Sequence, residues 1–275
     1  MDQISGRRDY IQRRVGEVIM FEVQIDKEFI VYQKGTSDGT QIKYKKDGYW
    51  YKLDSQGHEG LCEYLCSKLL EYSDLDPDEY VPYEQGTINS LSGCRSRSFL
   101  KEEDEELVTV YRLYYNEFGR DLAKVLSNFD SMEERIDYTV RFVFNCTGMD
   151  ISDYFRKIFT LDMIVLNEDR HVNNLALIST SNGFKPAPIF DNGKSLLTAN
   201  VSVKQTLDIS ENVKKVIARP FCGSHKMMFD HFGKGFSIDY GKAIKWLTSE
   251  PESMERDVLL YQLEKYRDII AAKYG

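Results

Sequence analysis

Long apolar runs are missing from this 275-residue chain. No stretch reaches the ~18–20 apolar residues that a helix needs to cross a bilayer. The opening segment, MDQISGRRDYIQRR, lacks the apolar centre of a secretory signal. Both absences lead to the expectation of a cytoplasmic protein with no membrane span. Basic residues are also in short supply: 36 Lys and Arg stand against 44 Asp and Glu, a formal net charge of −8. Broad nucleic-acid binding relies on a basic face that displaces counterions, so no nucleic-acid partner is expected. Cysteine pairing motifs are lacking too. Cys62, Cys66, Cys94, Cys146 and Cys222 make an odd count without a Cys-x-x-Cys, so reduced thiols are expected. Cys62 and Cys66, four apart on a predicted helix and close to His58, could share a metal; the simpler reading makes them small buried hydrophobes. Internal repeats and low-complexity linkers are absent. What remains is 42% hydrophobic, enough for a large core in one two-lobed unit or two small domains.

Strand patterns dominate the first part of the chain and helical periods the second. Residues 17–34, rich in Val, Ile, Phe and Tyr, predict two strands broken near Asp26–Lys27. Residues 35–54 open with a Gly/Ser/Thr/Asp turn and continue as a hairpin pinched at Asp47–Gly48. His58 to Tyr72 has a helical period through Leu61, Leu65 and Leu69. Residues 76–100, with Pro77, Pro82, Gly86 and Gly93, read as irregular to extended, and Glu106 to Leu113 as a strand with an extended crossing near Tyr111 to Leu113. Helices are predicted over Gly119–Phe129, Met132–Cys146, Ile151–Leu166 and, as a pair, within residues 240–273. Short strands at Leu175–Ile178 and Pro188–Phe190 flank the turn Ser181–Asn182–Gly183. This order predicts an α+β, two-lobed, kinase-like fold: a small strand-rich lobe over residues 1–112 and a larger helical lobe over 113–275.

The chemistry concentrates in LNEDRHVNN, Leu166 to Asn174, and PIFDNGKS, Pro188 to Ser195. Asp169 and Asn174 are five residues apart, and Asp191 follows after a short apolar run. That layout suits phosphoryl transfer. One carboxylate aligns the attacking hydroxyl, while an Asn carbonyl and a second carboxylate hold Mg²⁺ against nucleotide phosphates. Mg²⁺ takes hard oxygen ligands and keeps most of its waters, so few protein groups are required. Such a site also needs a strand lysine at the phosphates and a helix glutamate to hold it. Lys52, in GYWYKLD, is the candidate lysine; Glu59 and Glu63 lie one turn apart on the next helix, and mid-helix Glu63 is preferred. Gly35, Thr36, Ser37 and Gly39 form a candidate phosphate-covering loop in which backbone N–H groups can approach oxygens, with Lys43 as an added phosphate contact. GTSDG is also an ordinary turn. His171 has two readings, a backbone-bonding structural residue or a contact to the transferring phosphate. Arg170 is a candidate loop anchor.

DRHVNN followed by FDNG resembles the catalytic and metal-binding loops of the phosphatidylinositol 3-/4-kinases and of the HipA-like bacterial kinases. The short chain and the upstream matches TQIK and GHEGLCEYLCSKLL place the resemblance on the HipA-like side, with the stand-alone CtkA-type serine/threonine kinases, over roughly residues 30–222. The resemblance implies ATP and Mg²⁺ as cofactors and a protein with a Ser or Thr acceptor as partner. It implies Asp169 as catalytic aspartate, Asn174 and Asp191 as metal ligands, and self-phosphorylation at Thr36 or Ser37. Asn192 stands where ordinary protein kinases carry Phe. HipA proper has a further N-terminal domain and an antitoxin partner; too little sequence precedes Gly35 for that domain, so an antitoxin is not implied. Two alternatives accompany this reading: a lipid or small-molecule kinase, for which no polybasic or amphipathic segment argues, and a nucleotide-binding pseudokinase serving as an interaction module.

Overall fold

The computed structural model describes residues 11–15, 18–31, 41–204 and 206–272. Gly35, Thr36, Ser37 and Gly39, the candidate phosphate-covering loop, lie outside the described residues.

Six strands form the first sheet, in the order β1-β2-β5-β6-β4-β3. They are β1 (Ile11–Val15), β2 (Val18–Val23), β3 (Lys43–Lys46), β4 (Tyr49–Leu53), β5 (Glu84–Ile88) and β6 (Leu91–Arg97). The β3–β4 turn sits at Asp47 and Gly48, with φ of 52° and 78°. Two consecutive left-handed residues match the right-handed twist of the flanking strands. Alternation along β4 sends Tyr51 and Leu53 into a small core with Phe21, Val23, Ile25, Tyr44 and Ile88. Lys52, between them, faces the opposite side.

Several expectations are adjusted here; the strand expected at Pro188–Phe190 falls earlier, at Gly183–Pro186, and Ile189 makes only an isolated bridge to Tyr80. Among the described residues after Asp26–Lys27, up to residue 31, no second strand forms: Lys27–Phe29 is a 3-10 turn, and Ile30 makes one isolated bridge to Tyr44. Residues 76–100, expected to be irregular to extended, are extended as regular strands where they supply β5 and β6, two central strands of the sheet. Their hairpin turns on Asn89 and Ser90, with φ of 51° and 67°. No glycine signals that turn. Asn89 holds its strained backbone by an amide that accepts from Ile25 N (2.7 Å) and donates to Ile25 O (2.9 Å). Finally, Tyr111–Leu113 are helical. β7 (Glu106–Thr109) stays extended because it pairs with β8 (Ala176–Thr180), itself paired with β9 (Gly183–Pro186). The Thr109 hydroxyl then accepts from Arg112 N and starts α2 (Val110–Phe118), whose Val110 and Tyr114 are buried. Residues 98–105 join β6 to β7 without regular secondary structure and include a turn at Glu103–Asp104.

α1 (Glu59–Leu70) lies across the Lys52 side of the sheet. Its approach depends on two glycines: a Cβ on Gly60 would meet Gly93 C at 2.6 Å, and one on Gly93 would meet Lys52 O at 2.2 Å. Leu65, Leu69, Cys62 and Cys66 turn to the other side of α1 and join the main core. That core is built by α2, α3 (Leu122–Leu126), α4 (Met132–Thr147), α5 (Ser152–Val165), α7 (His225–Phe232), α8 (Tyr240–Ser249) and α9 (Met254–Ile270), with α6 (Ile209–Asn212) a single turn at its edge. α5 is its axis, buried on nearly every side through Phe155, Ile158, Phe159, Leu161, Met163 and Ile164. No helix of the described residues is long and apolar enough to cross a membrane.

Candidate active site

Glu63 projects from α1 toward β4, and the Lys52 ammonium meets its Oε1 at 2.7 Å. The same ammonium lies 2.8 Å from Asp191 Oδ1 and 3.4 Å from Tyr83 OH, with the Tyr83 ring 5.1 Å away. Glu63 Oε2 accepts from Asn192 N (2.8 Å), so one carboxylate joins the strand lysine to the Asp191 loop. Burial works against the charge on Lys52, but Asp191 and Glu63 together hold its pKa well above the ordinary lysine value. Burial would also raise Asp191, yet Lys52, then Lys43 and Arg170, keep it below the usual carboxylate range. Burial pushes Glu63 up, with Lys52 opposing and Asp191 adding to the rise. The resulting state is a protonated Lys52 beside an ionised Asp191.

Lys43 is the cross-strand partner of Lys52 in the β3–β4 ladder, so both side chains leave the same face. Burial depresses its pKa, Asp191 counteracts this, and Lys52 depresses it further. Two lysines opposed in this way disfavour one another unless an anion lies between them.

Glu59 does something else. Its carboxylate accepts from Ser55 N (3.0 Å), Ser55 Oγ (2.9 Å), Gln56 N (2.7 Å) and Gly57 N (3.1 Å). It ties down the loop that leads from the Lys52 strand into α1, and of the two glutamates it is Glu63 that reaches Lys52.

The second half of the site is a rigid turn. α5 ends at Leu166, left-handed at φ 57°, whose N–H bonds Asp162 O (2.8 Å). Asn167 Oδ1 then accepts from Asp169 N (2.9 Å). Asn174 Nδ2 donates to Asp169 O (2.9 Å), and His171 bonds the same carbonyl through its N–H (2.8 Å). The five-residue spacing is therefore a closed loop. The Asn174 amide nitrogen is occupied, which leaves Oδ1 as the atom it can offer. His171 Nε2 lies 3.8 Å from Asp169 Oδ1, and Lys194 Nζ lies 3.4 Å from Asp169 Oδ2. Both the Asp169 and the Lys194 side chains are about one-third exposed, at 30% and 35%.

Arg170 holds the loop down. Its guanidinium is fully buried, donates to both oxygens of buried Asp162, and reaches Phe190 O (2.8 Å) and Asn192 Oδ1 (2.6 Å). The asparagine in place of Phe is thus a hydrogen-bond hub between Glu63 and Arg170. His225, also buried, fixes the loop from below with Nε2 2.8 Å from Asn167 O, so that nitrogen must carry the proton. Burial lowers the His225 pKa, with Asp162 opposing. The neutral form is favoured in the fold, so its stabilisation is complete above about pH 6.5 and is lost as pH falls through the depressed value. Urea titrations across pH 5–8 should show stability declining on the acid side, and His225→Gln should reduce that slope.

Cys62 and Cys66 sit in the core, Cys62 Sγ donates to Ser195 O (3.3 Å), and His58 pairs with Glu255. No group of three or more His, Cys, Asp or Glu among the described residues could hold a metal ion.

Five participants, Asn167 among them, were not singled out from the sequence as parts of the site. Tyr83 reaches Lys52 across the sheet, and no local pattern marks it. Asp162 is an acid inside an apolar helix stripe, a detectable anomaly. His225 and Lys194 meet the loop from distant positions.

No family model matches the sequence, and no curated protein sequence matches it. In three dimensions the chain is similar to the crystal structure of the Helicobacter pylori proinflammatory kinase CtkA. The TM-score is 0.59 at 15% sequence identity, covering 88% of this chain and 93% of that one. The fold is mixed α+β and kinase-like, with a strand-rich N-terminal sheet and a helical C-terminal part.

Proposed function

We propose that the chain is an ATP- and Mg²⁺-dependent protein serine/threonine kinase. The observation that carries this reading is Lys52 held between Glu63 and Asp191, one residue from each of three separate elements meeting on one ammonium. A lysine so buried and so paired is costly unless its position is used. The sequence offers the matching DRHVNN and DNG loops, and the fold is that of a kinase.

The donor set fits a hard cation. Asp191 offers a carboxylate kept ionised, and Asn174 offers Oδ1, all oxygen atoms of the kind Mg²⁺ takes. When bound, the metal neutralises charge on the nucleotide phosphates. Lys52 is placed to turn from Asp191 toward those phosphates, with Glu63 keeping it in the cleft. Lys43, on the same face, adds a second positive charge. Asp169 is held by Asn167 at its N–H and by Asn174 at its carbonyl, which aims the carboxylate at an incoming hydroxyl. It orients that hydroxyl and accepts its proton. Residues 35–39 complete the phosphate side in this reading, with Thr36 or Ser37 as a site of self-phosphorylation. The acceptor is a protein Ser or Thr hydroxyl.

The two glutamates supply the test. Lys52→Ala and Glu63→Ala should each lower phosphoryl transfer by about 10²-fold, the scale for removing one charge-stabilising group. Glu59→Ala should leave transfer near wild type and cost about 1 kcal/mol of stability, as for a lost helix cap. A γ-phosphate transfer assay run beside urea denaturation separates the two effects. Full transfer in Lys52→Ala would refute the proposal.

A further inference from the structure

We infer that Lys194, which follows the Asp191–Asn192–Gly193 turn, is a catalytic residue that contacts the phosphoryl group in flight. The inference rests on the phosphoryl-transfer reading and extends it to the acceptor side of the site.

A transferring phosphoryl group carries negative charge on three equatorial oxygens, and the approaching hydroxyl must pass the Asp169 carboxylate. Two anions facing each other need a cation between them. The loop's own arginine does not serve, because Arg170 is fully buried and committed to Asp162, Phe190 O and Asn192. Lys52 is held by Glu63 and, in the proposed function, serves the nucleotide phosphates from the Asp191 side, away from Asp169. His171 is further away, with Nε2 at 3.8 Å. Lys194 Nζ lies 3.4 Å from Asp169 Oδ2, the nearer of the two side chains to that carboxylate.

Its place is built into the backbone. Glu168 N donates to Lys194 O (3.0 Å), which staples the two loops together beside Asp169. Gly193 lies against α1, where an added Cβ would meet the Glu59 Cβ at 3.2 Å. Asn192 is held from both sides by Glu63 and Arg170. The side chain itself is one-third exposed, so its link to Asp169 is a solvent-screened pair of small worth. It can leave Asp169 for a phosphoryl oxygen at little cost.

The step balances as follows. The hydroxyl oxygen bonds to the γ-phosphorus, the bond from that phosphorus to the bridging oxygen breaks, and its electron pair stays on ADP. The hydroxyl proton passes to Asp169. Lys194 keeps its protons throughout and neutralises charge on the γ-phosphoryl oxygens as the bond order shifts.

Three variants and one binding measurement test this. Lys194→Ala should lower kcat about 10²–10³-fold, the scale for a preorganised donor aimed at developing charge. Its KM for Mg·ATP should stay within about threefold, a difference no larger than that of a weak screened contact. Lys194→Arg should recover most of the lost rate, and Lys194→Gln little. Mg·ADP with aluminium fluoride, a mimic of the planar phosphoryl group, should bind Lys194→Ala far more weakly than wild type, while Mg·ADP alone binds both alike. A merely structural lysine would move both ligands together or neither, and that result overturns the inference. Undiminished kcat in Lys194→Ala, with an active wild type and an inactive Asp191→Asn, overturns it while leaving the kinase reading in place. A wild type that transfers no phosphate removes both.

Discussion

Asp169→Asn and Asp191→Asn each lower phosphoryl transfer by about 10²–10⁴-fold, the scale for losing an acid/base group or a metal-holding carboxylate. The two losses differ in kind. Asp191 is the carboxylate paired with Lys52, so its neutralisation weakens Mg·ATP binding as well as the chemical step. Asp169 lies beside Lys194 and His171, and in the proposed function it meets the acceptor, so its replacement should spare nucleotide binding. The Asp169 variant should therefore bind Mg·ATP like wild type in calorimetry while turning over far more slowly. Near-normal transfer in both variants would remove the kinase reading.

The second large effect falls on stability. Arg170 and Asp162 form an ion pair with both side chains essentially sealed from solvent, at 0% and 1% exposure. Burial alone would disfavour the Arg170 charge, and Asp162 more than restores it. Arg170→Met strands the Asp162 carboxylate in the core. Breaking one side of such a pair costs about 3–5 kcal/mol, on the order of 10 °C in Tm for a chain of this size. The double variant Arg170→Met with Asp162→Leu removes both charges and should recover much of that loss, because an apolar pair avoids the desolvation cost. Neither change restores function, since Arg170 also holds Phe190 O and Asn192. Urea denaturation of the single and double variants checks the ordering. A single variant as stable as wild type would mean that the loop does not depend on this pair.

What was legible in the sequence was local. Asp47–Gly48 announces a hairpin because both residues tolerate a left-handed backbone. The apolar periods of α4 and α5 announce buried helix faces, and Gly148 at φ 74° ends α4 as a residue without Cβ can. The DRHVNN and DNG loops stand out in the sequence because the proposed chemistry requires fixed residue types at fixed spacing. What was not legible depended on partners distant in sequence. The β5–β6 turn lacks glycine and is held by Ile25, 64 residues away from Asn89. Val110 to Leu113 has strand-forming side chains, yet it becomes helix where pairing with β8 ends and Thr109 provides a cap. Glu59 and Glu63 are one turn apart on the same helix, and only the fold shows that Glu59 is spent on the backbone of residues 55–57. Lys194 meets Asp169 because Glu168 and Lys194 join two loops through their backbones.

The most direct measurement of the central claim is γ-phosphate transfer. The intact protein is incubated with γ-labelled ATP, Mg²⁺ and a cell lysate as a pool of acceptors, and the modified sites are mapped by mass spectrometry beside an Asp169→Asn control. The account predicts new phosphate on serine and threonine hydroxyls that appears with wild type and is absent from the control. Nucleotide bound with no transfer to any protein, or equal labelling by wild type and Asp169→Asn, would contradict it.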